Sequence, residues 1–389
     1  MKFSTSSLII QSLLASISIA SPIEKRSPKT LNLSFDVVKP GNKSDVPAVH
    51  SSSNSDNKRS ESLNLYNQEL QYLTKIKMGS NQQEIWVGLD TGSSNLWFPS
   101  SDAICYSNLQ CKNYGSFDPS QSTTYHNLST VLFATFNDGR NAKGYFAKDD
   151  YWFDDGTKLD QVQFGLMNQD DRYIGLMGVG LTNLEQTEPE YPNFPIALKN
   201  QGIIDKTAYS LFLNEPGSAS GNILFGGVDT AKYDGDLAIL DFANYTWIGV
   251  EVQSFTTPDG KTHDLKFNTA LDSGTTYIIL NAEIANPILD AMGIGSSDTV
   301  ACSSIDYSQH LTFNFNGVSI NLPYTSLFND LGNDQCVCLI KPEWEGGSGN
   351  FFGDTFLQNA YVAYNLDTRK IGLAQANYNG GSNIVDFWF

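Results

Sequence analysis

The pattern that decides the fold reads Val87-Gly88-Leu89-Asp90-Thr91-Gly92-Ser93-Ser94, and it returns later as Ala270-Leu271-Asp272-Ser273-Gly274-Thr275-Thr276. In both copies an apolar approach ends in an aspartate, and a hydroxyl residue, a glycine and two further hydroxyl residues follow. The two aspartates lie 182 residues apart, which is about the length of one domain. The repeat therefore predicts two related lobes whose carboxylates meet where the lobes face each other.

A second repeated element follows each aspartate, namely two apolar residues and a glycine. Leu176-Met177-Gly178 places its glycine 88 residues after Asp90, and Phe351-Phe352-Gly353 places its glycine 81 residues after Asp272. A lone Asp-Thr/Ser-Gly is typical of an ordinary turn, but the shared order of elements favours a functional pair. We expect an N-terminal lobe over residues 60–240 and a C-terminal lobe over residues 241–389.

The remaining sequence predicts an all-β protein. Short apolar or alternating runs are separated by turn dipeptides such as Asp138-Gly139 and Asn316-Gly317. Helices are expected at 195–200 and at 282–292, the second interrupted by Pro287. The predicted strands are 71–78, 84–89, 151–153, 209–213, 222–225, 311–315 and 361–364.

The N-terminal 59 residues are predicted to be removed from the mature protein. Residues 1–20 combine Lys2 with an apolar stretch that ends in small residues, which is the pattern of a secretory signal peptide. Residues 21–59 are predicted to be a pro-segment, and the dibasic pair that ends at Arg59 is its candidate processing site. We therefore expect a zymogen.

Two features of the predicted mature part bear on export. The sequons at Asn127 and Asn244 are candidate glycosylation sites. The C-terminal stretch 383–389 is aromatic but too short for a membrane-anchor tail. We expect a glycoprotein that is secreted to the extracellular space and carries no membrane anchor.

Charge divides the chain at the same point. Residues 1–59 hold eight Lys and Arg against four Asp and Glu, whereas the remaining 330 residues hold 16 against 38. Such a polyanionic mature chain repels nucleic acid and anionic membranes, so neither is expected as a partner. The composition suits a protein that works in acid, where many carboxylates are neutral. A basic pro-segment suits an acidic partner, so the mature part is expected to bind its own pro-segment.

The cysteines predict disulfides, because the chain is expected to be exported. Cys105 and Cys111 close a small loop. Cys302 can pair with Cys336 or with Cys338, and the sequence does not choose between them; we take Cys302–Cys336 as the working assignment and expect the remaining thiol to be buried. The four histidines lack the spacing of metal ligands, so neither a metal nor another cofactor is expected.

Each residue type in the repeated turn has a physical role. Glycine allows a sharp turn and a close approach of the backbone amide to a carboxylate. The hydroxyl after each glycine can donate a hydrogen bond to the outer carboxylate oxygen, and the hydroxyl before it can bond across the interface and lock the two loops together. The predicted support residues are Thr91, Gly92, Ser93, Ser273, Gly274 and Thr275.

The two aspartates are the candidate catalytic residues. Two carboxyl groups within hydrogen-bond distance do not both ionise easily, so Asp90 and Asp272 are expected to share one proton and to titrate as a unit. The ionised member can take a proton from a water molecule while the protonated member polarises a carbonyl group. This predicts hydrolysis by direct attack of water, with no covalent intermediate.

Taken together, the run from Asp90 to Trp97 and the run from Leu271 to Thr276 resemble the two active-site motifs of pepsin-like aspartic proteases. The resemblance covers essentially the whole predicted mature chain and includes the runs 174–180, 223–229 and 352–357. The dibasic site and the small cysteine loop are similar to those of the secreted yeast group, the candidapepsin-like fungal enzymes. The resemblance implies a bilobal double β-barrel with a cleft between the lobes and a flap hairpin over it. It also implies an aspartic endopeptidase, a monomer, that hydrolyses proteins and peptides at acid pH and binds pepstatin-type inhibitors.

The flap departs from the family pattern, which is usually Tyr-Gly-Asp/Thr-Gly. The matching stretch here contains Phe136-Asn137-Asp138-Gly139. Phenylalanine keeps an apolar cover over the substrate but cannot make the hydroxyl hydrogen bond to the indole of Trp97 that the family normally uses. We therefore expect reduced or altered catalysis; the alternative is a pepsin-like protein with impaired catalysis that acts mainly as a peptide or protein binder. The candidate flap and substrate-binding residues are Trp97, Phe136, Asn137, Asp138, Gly139 and Thr276.

Overall fold

The computed structural model describes only part of the numbered chain. The predicted signal peptide, Arg59 and most of the predicted pro-segment lie outside the described residues, as do Asn137 and Asp138. The described residues are 29–38, 71–106, 111–136, 139–172, 174–185, 187, 189–216, 218, 220–244, 246–295, 299–343 and 349–389.

Strands dominate the described residues, and the expected all-β class is confirmed. In the first part of the chain the strands are β1 (Leu31–Val38), β2 (Gln71–Met78), β3 (Gln83–Asp90), β4 (Leu96–Cys105), β5 (His126–Thr135), β6 (Asn141–Trp152), β7 (Lys158–Asp170), β8 (Gly175–Gly178), β9 (Ala208–Phe212), β10 (Ser220–Phe225), β11 (Gly227–Asp229) and β12 (Ala238–Asp241). In the second part they are β13 (Gly249–Val252), β14 (Ser254–Thr256), β15 (Thr262–His263), β16 (Phe267–Leu271), β17 (Ile278–Leu280), β18 (Thr299–Ala301), β19 (His310–Phe315), β20 (Val318–Pro323), β21 (Phe328–Gly332), β22 (Gln335–Cys338), β23 (Ile340–Pro342), β24 (Phe351–Phe352), β25 (Ala360–Asn365), β26 (Lys370–Gln375) and β27 (Ile384–Asp386).

The α-helices among the described residues are short. They are α1 (Phe194–Asn200), α2 (Ala282–Ala291), α3 (Tyr324–Leu327) and α4 (Asp354–Leu357). The expected interruption at Pro287 is wrong, because α2 continues through it. The buried face of α2, which includes Ile284, Ile288 and Leu289, packs into the core and compensates for the hydrogen bond that proline cannot donate.

One large sheet joins the two ends of the described chain. It has thirteen strands in the order β12-β26-β25-β9-β10-β1-β2-β3-β8-β4-β7-β6-β5. Strands from the C-terminal part enter it, since β25 pairs antiparallel with β9 and β26 pairs antiparallel with β12. Four smaller sheets hold the remaining described strands; their orders are β13-β16-β24-β17-β23, β15-β14-β19-β20, β18-β22-β21 and β11-β27. The structure is thus the multi-sheet arrangement expected of a bilobal pepsin-like fold.

The repeat in the sequence is a repeat in the topology. β3 ends at Asp90 and runs parallel to β8, with Asp90 opposite Gly178. In the same way β16 ends one residue before Asp272 and runs parallel to β24, with Leu271 opposite Phe352. The strand after each aspartate turn, β4 or β17, then pairs antiparallel with the same partner. Each aspartate therefore lies at the end of a strand in its own three-strand unit, and the two units have the same arrangement of strands.

β1 belongs to the predicted pro-segment and lies inside the large sheet. It pairs antiparallel with β10 from Leu31 to Asp36 and with β2 from Asp36 to Val38. Phe35 of this strand is buried in the core. The described part of the predicted pro-segment is thus a structural strand between two strands of the predicted N-terminal lobe.

Both disulfides of the working assignment are present. Cys105 and Cys111 are joined with a Cα–Cα distance of 5.5 Å, and Cys302 and Cys336 with 5.0 Å. Cys336 lies opposite Val300 in the β18–β22 pair, which brings it close to Cys302 just beyond β18. Cys338 is buried, and its sulfur accepts the backbone N–H of Ile340 at 3.4 Å. Within the described part of the chain, no helix is long and apolar enough to cross a membrane.

Candidate active site

Asp90 and Asp272 are held by matching sets of hydrogen bonds. The backbone N–H of Gly92 donates to Asp90 Oδ1 at 2.8 Å, and Ser93 Oγ donates to Asp90 Oδ2 at 2.5 Å. In the second turn the N–H of Gly274 donates to Asp272 Oδ1 at 2.8 Å, and Thr275 Oγ1 donates to Asp272 Oδ2 at 2.8 Å. Both aspartates are buried. Each carboxyl group therefore has its orientation fixed by a backbone amide on one oxygen and a hydroxyl on the other.

The two turns approach so closely that each glycine lies against the opposite carboxyl group. A Cβ atom added to Gly92 would lie 2.6 Å from Asp272 Oδ1, and one added to Gly274 would lie 2.6 Å from Asp90 Oδ1. No side chain fits at such distances, so both positions require glycine. The carboxyl groups also share a side-chain hydrogen bond. The structure thus brings together the two acids that the sequence pairs.

A reciprocal set of hydrogen bonds locks the turns to each other. Thr91 Oγ1 donates to the carbonyl of Leu271 at 2.8 Å and accepts the N–H of Ser273 at 3.0 Å. In return Ser273 Oγ donates to the carbonyl of Leu89 at 3.1 Å and accepts the N–H of Thr91 at 3.2 Å. Both hydroxyls are buried, where hydrogen bonds are stronger and their loss is more costly. These bonds fix the distance between the two carboxyl groups.

The apolar-apolar-glycine elements support the turns from behind. Gly178 donates its N–H to Asn95 at 3.0 Å, and a Cβ there would lie 2.6 Å from the backbone N of Ser94. Gly353 donates to Tyr277 at 3.1 Å, and a Cβ there would lie 2.1 Å from the carbonyl oxygen of Thr275. The glycines repeated in the sequence therefore allow one backbone to pass directly against another on each side of the site.

The site favours a shared proton. Burial first, and then the charge of Asp90 and the hydrogen bond between the two carboxyl groups, raise the pKa of Asp272 above its ordinary value. The hydrogen bonds from Thr275 and Gly274 act in the opposite direction and stabilise the ionised form. Asp272 therefore retains a proton over a pH range in which an ordinary aspartate has lost it.

A third buried carboxyl group, Asp354, was missed by the sequence reasoning. It begins α4 directly after Gly353, and within the described part of the chain neither of its side-chain oxygens has a hydrogen-bond partner. Burial, followed by the charges of Asp272 and Asp90, raises its pKa well above the ordinary value. Asp354 therefore holds its proton to a higher pH than an ordinary aspartate does. Its position directly after a repeated glycine was the available sequence signal.

Two stacked phenols were also missed. The rings of Tyr209 and Tyr364 stack with centroids 4.8 Å apart, and both side chains are completely buried. Burial raises the pKa of both phenols, and the charges of Asp90 at Tyr209 and of Asp272 at Tyr364 add to it. Two buried phenol groups therefore lie close enough to the carboxyl pair to be affected by its charge.

The residues expected to bind substrate are only partly described. Trp97 is buried, and the ring of Phe136 lies 5.7 Å from it between centroids at an angle of 42°. Gly139 adopts φ +82°, as a tight hairpin turn requires, while Asn137 and Asp138 lie outside the described residues. Thr276 is buried, and its carbonyl accepts the hydroxyl of Thr355 at 2.7 Å, which ties it to the support of the second turn.

One group of potential metal ligands was found among the described residues, formed by Cys302, Cys336 and Asp330. The two sulfurs are already joined in a disulfide and supply no thiolate. The chemistry of this donor set therefore does not fit a metal ion.

The geometry described above matches one known family. The family described as "Eukaryotic aspartyl protease" matches residues 71–376, and the chain belongs to this family. It is 35% identical to an acid protease of Saccharomycopsis fibuligera, over 97% of this chain and 100% of the relative. It is 34% identical to candidapepsin-1 of Candida albicans, over 94% of this chain and 95% of the relative. It is also 34% identical to the aspartic proteinase yapsin-3 of Saccharomyces cerevisiae, over 84% of this chain and 70% of the relative. The protein is therefore an aspartic endopeptidase of the fungal pepsin-like class.

Proposed function

We propose that Asp90 and Asp272 are the catalytic pair with which this endopeptidase hydrolyses protein and peptide bonds at acid pH. The observation that carries the proposal is the reciprocal arrangement of the turns, in which each glycine lies against the opposite carboxyl group. Two carboxyl groups in such contact share one proton, and aspartic proteases are the standard example of that state. The ionised member accepts a proton from water, and the protonated member polarises the scissile carbonyl.

The support residues have defined tasks in this proposal. Gly92, Ser93, Gly274 and Thr275 orient the carboxyl groups, so no reorganisation is needed when charge develops. The interlocking hydroxyls of Thr91 and Ser273 hold the groups at the distance the shared proton requires. Trp97, Phe136, Asn137, Asp138, Gly139 and Thr276 are proposed to hold the substrate chain over the pair.

The biological setting proposed is that of an exported zymogen. The relatives named secreted aspartic proteases in Candida albicans support secretion to the extracellular space. We propose a signal peptide over 1–20, a pro-segment over 21–59 cut after Arg59, and catalytic lobes over 60–240 and 241–389. Glycosylation at Asn127, exposed on β5, and at Asn244, together with a monomeric mature form and pepstatin-type inhibition, completes the proposal.

The test is cleavage of denatured haemoglobin by the purified, processed chain between about pH 3 and 7, with and without a pepstatin-type inhibitor. We expect cleavage in acid that the inhibitor abolishes, because the inhibitor mimics the state formed by water attack. A folded, processed chain that binds the inhibitor but cleaves nothing across this range would support the binding protein instead. Cleavage that the inhibitor leaves untouched would overturn the proposed site.

A further inference from the structure

Phe136 makes a contact that the sequence reasoning did not predict. The residue follows β5, and its N–H donates to the carbonyl of Arg140 at 3.0 Å at the turn into β6. The guanidinium carbon of Arg172 lies 4.2 Å from the centroid of the Phe136 ring. This distance is well within the range of about 6 Å over which a cation is attracted to an aromatic face. The ring therefore contacts both the indole of Trp97 and a cation.

Arg172 is held beside the turn of the β5–β6 hairpin. Its side chain is only 7% exposed, and its backbone N–H donates to Asp170 Oδ1 at 2.8 Å. Two backbone hydrogen bonds tie the residues just before Arg172 to adjacent strands. The N–H of Asp171 donates to the carbonyl of Asn141 at 3.0 Å, and the N–H of Tyr106 donates to the carbonyl of Asp170 at 2.9 Å. The cation is therefore anchored to the start of β6 and to the end of β4, and Phe136 lies at the same turn of the β5–β6 hairpin, because Thr135 pairs with Asn141.

The environment strengthens this contact. Phe136 packs on a buried apolar cluster that includes Trp97, Leu132 and Phe146. A guanidinium that is shielded from water is attracted to an aromatic face more strongly than an exposed one. Burial raises the pKa of Asp170 to about 7, even though the backbone N–H and the charge of Arg172 act in the opposite direction. In acid Asp170 is therefore neutral, and the Phe136 ring remains as a partner for the guanidinium.

We propose that Arg172 is a positioning residue of this endopeptidase, which holds the Phe136 ring against Trp97 in place of the hydroxyl hydrogen bond that phenylalanine cannot make. This inference rests on the proposed function. Arg172 acts through Phe136, and so it affects how well substrate is held over the carboxyl pair rather than the proton transfers within that pair.

The experiment is a double-mutant cycle with Arg172→Met and Phe136→Leu, read out as kcat and KM on several peptides. Arg172→Met keeps the length of the side chain and removes its charge, and it should lower kcat/KM about three- to tenfold, mainly by raising KM. The shape of the pH profile should not change. In the Phe136→Leu background the same change should have no further effect, because the aromatic partner is already absent.

Two further variants separate positioning from folding. Arg172→Lys retains a cation and should recover most of the activity. Lys143→Met removes an exposed cation from the same hairpin and should leave KM within about twofold of the wild type. Effects of Arg172→Met and Phe136→Leu that simply add, or a loss confined to thermal stability with KM unchanged, would overturn the inference.

A second measurement separates this inference from the proposed function. It is the affinity for a pepstatin-type inhibitor, measured by calorimetry on the wild type, the two single variants and the double variant. A wild-type protein that binds the inhibitor without cleaving peptides would refute the proposed function. The Arg172–Phe136 coupling would then still be read from the inhibitor affinities. Absence of coupling in both measurements would refute the positioning role even in an active enzyme.

Discussion

Replacing Thr91 by valine tests the lock between the two aspartate turns. Valine has nearly the same shape as threonine but can neither donate to the carbonyl of Leu271 nor accept the N–H of Ser273, which lie at 2.8 Å and 3.0 Å from Thr91 Oγ1. Thr91 is completely buried, so water does not replace the lost bonds. Each backbone group left without this partner costs about 1–3 kcal/mol, and we expect a total loss of about 2–4 kcal/mol in the free energy of unfolding.

The loss is measured by urea unfolding followed by tryptophan fluorescence, together with kcat/KM on a peptide substrate. The lock sets the separation of Asp90 and Asp272, and a misplacement of about 1 Å in a catalytic site costs roughly a hundredfold in rate. Activity is therefore expected to fall much further than the folded fraction does. The matched control is Thr312→Val, whose hydroxyl donates to the side chain of Asn321 at 2.8 Å on the exposed surface and whose replacement should cost less than about 0.5 kcal/mol. Equal costs for the two replacements would refute the lock.

Three further predictions follow from the site and its surroundings. Gly92→Ala places a Cβ 2.6 Å from Asp272 Oδ1, so kcat/KM should fall at least a hundredfold; activity within tenfold of the wild type would show that the turns do not meet as described. Asp354→Asn should flatten the pH dependence of stability, because the raised pKa lets the folded wild type keep a proton that the unfolded chain has lost, and wild-type stability then declines as pH rises above about 4. Urea midpoints between about pH 3 and 7 that decline equally in the variant and the wild type would contradict this. Replacing both Cys302 and Cys336 by alanine opens a link of sequence separation 34 and should cost about 4 kcal/mol in urea unfolding, whereas a loss below about 1 kcal/mol would argue against a stabilising disulfide.

The sequence predicted the parts of the site that depend on local chemistry. The aspartate turns and the glycine elements were recognisable because they repeat, and the tasks of Thr91 and Ser273 followed from the reach of a hydroxyl group. The strand at 71–78 was predicted with its observed bounds, because its apolar pattern is flanked by turn signals. Such features can be predicted from local sequence, because they do not depend on contacts with distant segments of the chain.

The parts that escaped prediction depend on contacts between distant segments. Arg172 and Phe136 are 36 positions apart in sequence and meet only because β7 returns beside the β5–β6 hairpin. The burial of the Asp354 side chain, whose oxygens have no hydrogen-bond partner within the described part of the chain, is set by packing beneath the second aspartate turn. The choice of Cys336 over Cys338 depends on the register of β18 with β22, which the sequence does not fix.

The most direct test of the catalytic pair is kcat/KM for Asp90→Asn and for Asp272→Asn, each compared with the wild type at acid pH. Asparagine preserves the shape of each side chain but can neither share the proton nor accept one from water. Each variant should fold, show an unfolding midpoint close to that of the wild type, and lose activity by at least a thousandfold. Inhibitor-sensitive cleavage within tenfold of the wild type in either variant would contradict the assignment of these two aspartates as the catalytic pair.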